Sequence, residues 1–291
     1  MQTMLLASWI FAALFTAPDP APAVELKAET AAAFDEYVRA TESRMEEDIR
    51  NDQFLAIDAL PDQRRRAIYA RLQRGEVFIE PLRTREDEHG IHVPSGLVHH
   101  WAGVIFIPKA TLADVLAILQ NYDNQDMYKP IIRHSKLISR EGDQSKIYLQ
   151  FFNNSAGPVL INAEFDVTDT QFGAARHQIA TRSTRIAEIA NPDSPNEHEL
   201  PVGRGHGYMW RLDTYWRLEE KDGGVYLQNE SIALTRTVPI LLAWLVNPLV
   251  KSIPRNTITS LLISTRKAVL KSLPAPQVSG TLVFDPAATW R

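Results

Sequence analysis

The 291-residue chain contains no cysteine. That absence excludes thiol nucleophiles, disulfides, iron–sulfur clusters and cysteine-bound zinc. It also removes the acceptor for lipid attachment of the bacterial lipoprotein kind. Positive charge is not in excess: the formal net charge is −4, so no bulk field draws the chain to nucleic acid or to an anionic membrane surface. Beyond the first 23 residues no apolar run reaches the ~20 residues of a membrane-spanning helix. GxSxG, P-loop and GxGxxG motifs are all missing, which leaves hydrolase, nucleotidase and dinucleotide readings without support. The eight histidines include no HxxxH or HExxH spacing. His99 and His100 are adjacent, so on a strand they face opposite ways and cannot share one ion. Glu197, His198, Glu199 and His206 lie near one another in sequence, but no regular element fixes them. No metal, no cofactor and no catalytic residue is therefore expected.

What is present is an ordinary globular composition, 45% hydrophobic and 23% charged, enough for a sizeable core. The N-terminus stands apart. Met4 to Phe15 is an apolar run of 12 residues followed by TAPDPAPA, and Ala21-Pro22-Ala23 has the small–x–small form of a signal-peptidase site. The spacing predicts a signal peptide over 1–23, cleavage after Ala23, and a periplasmic or secreted protein. No Lys or Arg precedes the apolar run, a departure from the usual signal-peptide pattern.

Residues 24–92 read as a helical N-terminal extension. Ala31, Phe34, Val38, Thr41 and Met45 recur at helical spacing. Pro61 opens a second helix that Gly75 closes, with the charged run at 64–66 on its solvated face, and 76–80 is a short strand. From 95 the pattern changes. A long strand over 96–108 ends at Pro108, and Thr111 caps a helix over 112–122 whose Leu112, Val115, Leu116 and Leu119 share one side. Four strands separated by turn residues follow, then a polar, proline-rich loop at 191–205. Two more strands flank Asp222-Gly223, a strong hairpin signal. The apolar stretch 238–250 reads as a helix that Pro248 bends or ends. A further helix carries Ile258, Leu261, Leu262, Thr265 and Val269 on one stripe. Residues 273–291 read as a flexible tail. Short turns imply antiparallel neighbours, and one sheet with one long helix buries both apolar faces only if the sheet curves around the helix.

GVIFIPKATLADVLAILQNYDNQDMYKPII at 103–132 and YWRLEEKDGGVYLQNESIALTRTVP at 215–239 carry a resemblance to the START-like (SRPBCC) superfamily, which includes polyketide cyclase/dehydrase and coenzyme-Q-binding START-like proteins. The resemblance spans about 95–272; residues 24–92 and the loop 191–205 depart from the minimal pattern. It implies an α+β helix-grip fold, a curved antiparallel sheet of about seven strands wrapped around a long C-terminal helix. It also implies an apolar cavity between sheet and helix that holds a lipid, isoprenoid or polycyclic ligand. A carrier or sequestering protein needs nothing more, whereas a cyclase/dehydrase-type enzyme needs polar side chains within reach of one another inside that cavity. A third reading is a solid interior, with 24–92 as an interaction surface.

Alternation nominates the ligand contacts. In HGYMWRLDTYWRLE (206–219), Tyr208, Trp210, Leu212, Thr214, Trp216 and Leu218 share the only consistently apolar face. Tyr208, Trp210 and Trp216 are expected to line the cavity. Arg211, Asp213, Tyr215 and Arg217 are placed on a solvated outer face. Phe151, Phe165, Ile258 and Leu262 join the inward set, as do Trp244 and Leu245 of the 238–250 stretch. Over 174–187 alternation does not decide the faces, so Arg182 and Arg185 stand as candidates for an anionic head group, since a buried guanidinium needs such a partner. The stretch 238–250, flanked by Arg236 and Lys251, either fills the concave face or makes transient contact with a membrane.

Overall fold

The computed structural model describes residues 24–83, 91–154, 158–237 and 240–274, without the side chains of 240–253. The expected signal peptide at 1–23, most of the tail 273–291 and the side chains of Trp244 and Leu245 lie outside the described residues. The first elements are β1 (Val24–Glu25), α1 (Ala28–Arg50), α2 (Asp62–Gln73) and β2 (Val77–Pro81). Then come β3 (Gly96–Pro108), α3 (Leu112–Leu119), β4 (Ile132–Glu141), β5 (Gln144–Asn153), β6 (Val159–Gln171) and β7 (Arg176–Ala190). Short β8 (His198–Glu199) and β9 (Arg204–Gly205) precede β10 (Arg211–Lys221), β11 (Gly224–Arg236) and α4 (Ile240–Ser272). The fold is α+β helix-grip. The main sheet is antiparallel, in the order β2-β3-β11-β10-β7-β6-β5-β4, with β8 added beside β7. The seven long strands are those anticipated; β2 and β8 extend them.

Local chemistry places the pieces. Asp222 and Gly223 have positive φ and close the β10–β11 hairpin, pairing Lys221 with Gly224 and, further along, Thr214 with Ser231. Thr111 caps α3 reciprocally: its hydroxyl accepts the Asp114 N–H, and the Asp114 carboxylate accepts the Thr111 N–H at 2.8 Å. In place of two helices broken near Pro248, α4 is one helix of 33 residues. Its buried Ile258, Leu262, Thr265 and Val269 recur at steps of four and three and pack against β3, β2 and α3. A close approach at Gly103 allows this. A Cβ there would lie 2.7 Å from Ile258 and 2.9 Å from Leu262, so only glycine lets the helix meet β3.

The outer face of β10 is not solvated, which corrects the expectation for its charged residues. The N-terminal segment covers it. Phe34, Tyr37, Val38 and Met45 of α1 pack on Trp210, Tyr215, Ile232 and Leu234. Phe54, Leu55, Ile57, Ile68 and Leu72 pack on Val104, Phe106 and Tyr226. Arg217 is fully buried beneath this layer and donates to the Phe54 carbonyl at 2.8 Å and to Glu230 at 2.9 Å. Glu230 also accepts from Arg44 of α1 and, at 2.8 Å, bonds His100, whose other ring nitrogen meets the Tyr37 hydroxyl at 2.9 Å. Burial pushes the Glu230 carboxyl up. The His100 hydrogen bond and the charges of Arg217 and Arg44 outweigh it and hold it well below the usual carboxylate range.

Two outcomes follow. Arg217→Met leaves Glu230 buried with one donor fewer and should cost about 3–5 kcal/mol; adding Glu230→Gln to it should recover part of that loss in urea melts. Gly103→Val should cost about 1–3 kcal/mol by prising α4 from β3, read as a lower thermal midpoint; no change would show that the helix does not depend on this contact.

Candidate ligand cavity

Among the described residues α4 packs chiefly on the β3 end of the sheet and on α3, which leaves space between it and the concave face across β10, β7, β6 and β5. A cavity of about 550 Å3 lies there. Ile147, Leu149 and Phe151 of β5, Ile161 and Phe165 of β6, Ile179 of β7, Trp216 of β10 and Trp101 of β3 form its walls, closed by Ile258 and Leu261 of α4. Phe151 and Phe165 meet edge to face, with ring centroids 6.1 Å apart, a favoured aromatic geometry. Among the described residues no membrane-spanning helix and no metal-binding cluster is found.

The nominated residues divide. Trp216, Phe151, Phe165 and Ile258 line the cavity, and Tyr208 lines its exposed end. Leu262 lies in the adjoining core against Gly103. Trp210 does not face the cavity. Bends at 208 and 210, with Gly207 at φ +72, break the alternation before β10 begins. Met209 turns to the cavity instead, while Trp210 joins the α1 layer. Arg182 and Arg185 also stay outside it. Arg182 pairs with Asp213 across the outer face and bonds Glu42 of α1 at 2.8 Å. A register shift between Glu164 and Phe165 inserts Thr184 as an extra residue and turns Arg185 to the outer side, where it pairs with Glu199. An anion site built on these arginines is thereby corrected.

The exposed end is firmly built. The Glu188 carboxylate accepts the backbone N–H groups of His206 and Tyr208 at 2.7 and 2.8 Å. His206 stacks on the Tyr208 ring at 5.0 Å. Arg236 lies beside this loop and is the only Lys, Arg, Asp or Glu among the described lining residues.

Polar side chains that were not among the nominated ligand contacts also reach the cavity. His99 bonds Thr235 at 3.0 Å, Thr181 bonds Thr214 at 2.6 Å, and Ser231 donates to Asn229 at 2.7 Å. Tyr122 lines the cavity with a buried hydroxyl that has no partner among the described residues. Burial pushes the His99 imidazole down to about 4, so it is neutral at pH 7 and a weak base.

No protein-family model and no curated protein matches the chain. Among solved structures it is similar to the STAR-related lipid transfer protein (fragment 25–204) of Xanthomonas axonopodis. That match has 19% identity and a TM-score of 0.41, over 64% of this chain and 98% of that one. It is similar also to the Zhui aromatase/cyclase of Streptomyces sp. R1128, with 11% identity and a TM-score of 0.43 over 62% and 98%. Human STARD10 gives 12% identity and a TM-score of 0.44 over 74% and 81%. At these scores the likeness adds nothing to what strand order and helix placement already show.

His99 supplies a test of the cavity's dryness. A base whose folded pKa is lowered favours the fold while neutral, so this stability is lost as pH falls from about 6.5 towards 4. The full loss is roughly 3 kcal/mol. NMR titration should place the His99 midpoint near 4, and His99→Gln should flatten the fall in stability over that window. A midpoint near 6.5 would show that water reaches the imidazole.

Proposed function

We propose that this chain is an exported binding protein for an uncharged hydrophobic ligand, a lipid, isoprenoid or polycyclic molecule, which it carries or sequesters. One observation supports the reading above the rest: the cavity of about 550 Å3 walled by Trp101, Phe151, Phe165, Ile179 and Trp216. Each 100 Å2 of ligand apolar surface removed from water there contributes about 2.5 kcal/mol, and no reacting group is needed to hold it. Lipid-like ligands come from membranes, and the apolar stretch 238–250 at the start of α4 is the proposed point of transient contact with one. Export implies a mature chain beginning at Val24, which intact mass measurement of the exported protein tests.

A cyclase/dehydrase-type enzyme is a second reading. It is favoured by the polar pairs Thr181–Thr214 and Ser231–Asn229 in the same wall. The neutral, weakly basic His99 is poorly matched to proton abstraction at pH 7, so binding without chemistry is the better supported of the two.

Native mass spectrometry of the protein purified from its own cells should show an added apolar mass that organic solvent strips. A neutral fluorescent probe should bind the stripped protein. Trp216→Ala and Phe165→Ala should weaken that binding about tenfold or more, from the ~1.5–3 kcal/mol that each buried side chain contributes. Trp210→Ala, on the opposite face, should leave it unchanged. A bare mass together with no probe binding would sink the proposal.

A further inference from the structure

The cavity wall is largely apolar, and one polar band in it has hydrogen-bonding capacity left over. The register fixes it. Thr214 stands opposite both Thr181 and Ser231, and Asn229 is the next residue along the same face of β11. All four line the cavity. Asn229 is 1% exposed. Its amide oxygen accepts the Ser231 hydroxyl at 2.7 Å, while its amide nitrogen has no partner among the described residues. If the amide is turned round, the unpaired end changes but its existence does not. Thr181 and Thr214 share a single hydrogen bond. Two hydroxyls carry two protons, so one of them also lacks an acceptor there. These groups face the cavity with hydrogen-bonding capacity that no described residue uses, whereas a core strand facing only hydrocarbon would be served by valine or leucine at these positions.

We infer that Asn229, Ser231, Thr214 and Thr181 form a recognition site for an uncharged oxygen, a carbonyl or hydroxyl, carried by an otherwise apolar ligand. The inference rests on the proposed binding function and narrows its ligand class. The spare groups are hydrogen-bond donors, which suits an oxygen acceptor; the hydroxyl lone pairs allow a ligand hydroxyl to donate in return. A carboxylate or phosphate beside this band has no cation to meet among the described lining residues other than Arg236. Arg236 stands seven residues further along β11, about 23 Å away at the rise of a strand, beside the exposed loop at Gly207 and Tyr208. A pure hydrocarbon leaves the Asn229 amide unpaired. The ligand so defined buries its oxygen and is neither a free fatty acid nor an alkane.

The full mature chain loaded with N-phenyl-1-naphthylamine, a neutral probe, tests this with three C16 competitors delivered from cyclodextrin: hexadecanol, hexadecane and hexadecanoate. Hexadecanol should displace the probe at about tenfold lower concentration than hexadecane, the net worth of one buried hydrogen bond or two. Asn229→Leu should abolish that preference and leave hexadecane unchanged. Thr214→Val, nearly isosteric, should reduce it and stands in if Asn229→Leu does not fold. Equal displacement by hexadecanol and hexadecane overturns the recognition site and leaves the binding function standing. Strongest displacement by hexadecanoate, insensitive to Asn229→Leu, overturns it in favour of an anionic group at Arg236. Failure of the probe and all three competitors to bind overturns the binding function, and the recognition site with it.

Discussion

A carboxylate cut off from water survives only among donors, and besides Gln228 of its own strand the donors around Glu230 come from three separate stretches of chain. Arg44 belongs to α1, His100 to β3 and Arg217 to β10. Arg217 in turn reaches the Phe54 carbonyl in the connection between α1 and α2. The group therefore fixes the N-terminal helical layer against the middle of the sheet at one position. Sliding α1 along the strands would strip Glu230 of one donor and leave Arg217, whose Nε already has no partner among the described residues, with a further unmet proton. The apolar packing of Phe34, Tyr37 and Val38 supplies the larger area, but apolar area is non-directional. The ionic cluster supplies the register.

That covering layer explains how far the sequence could be read. The seven long strands, the capped helix α3 and the inward stripe of α4 follow from period and turn chemistry, because each is decided by neighbours a few residues away. The outer face of β10 was not legible. Asp213, Tyr215, Arg217 and Glu219 have the composition of a solvated face, and only contact with a segment some 170 residues earlier in the chain buries them. An alternation rule registers polarity, and here polarity marks a buried network. The same rule failed at Trp210 and Arg185 for a local reason. It assumes an unbroken strand, whereas bends at 208 and 210 and the extra residue Thr184 each reset the parity.

The cavity's polar band had a signal that was available. Neither face of β11 is consistently apolar, so β11 alone does not reveal which side holds Asn229 and Ser231. The two-residue turn at Asp222-Gly223 does. It pairs Lys221 with Gly224, so every even position on β10 meets an odd one on β11. The inward face of β10, read from Leu212, Trp216 and Leu218, then places Asn229, Ser231 and Thr235 inward as well. His99 follows by one further strand, opposite Ala233. What no rule of period supplies is the depth of these positions relative to α4, which depends on Gly103 letting the helix settle at one side of the sheet.

That lopsided seating is what turns a core into a cavity, and it has an energetic consequence. Side chains along the wall, such as Phe151 and Trp216, are only partly buried and forgo some of the dispersion contacts that a solid interior provides. A sheet with so much unsupported concave surface would gain by flattening onto its helix. The N-terminal layer opposes that collapse from behind. It packs both ends of β3, β10 and β11 on their convex side and ties their middle through Arg217 and Glu230, so these strands keep their curvature whatever occupies the concave side. On this argument residues 24–75 belong to the packing of the sheet's convex side. They back the cavity wall, and the buried charges lie on that side, whereas Arg236 is the one Lys, Arg, Asp or Glu among the described lining residues.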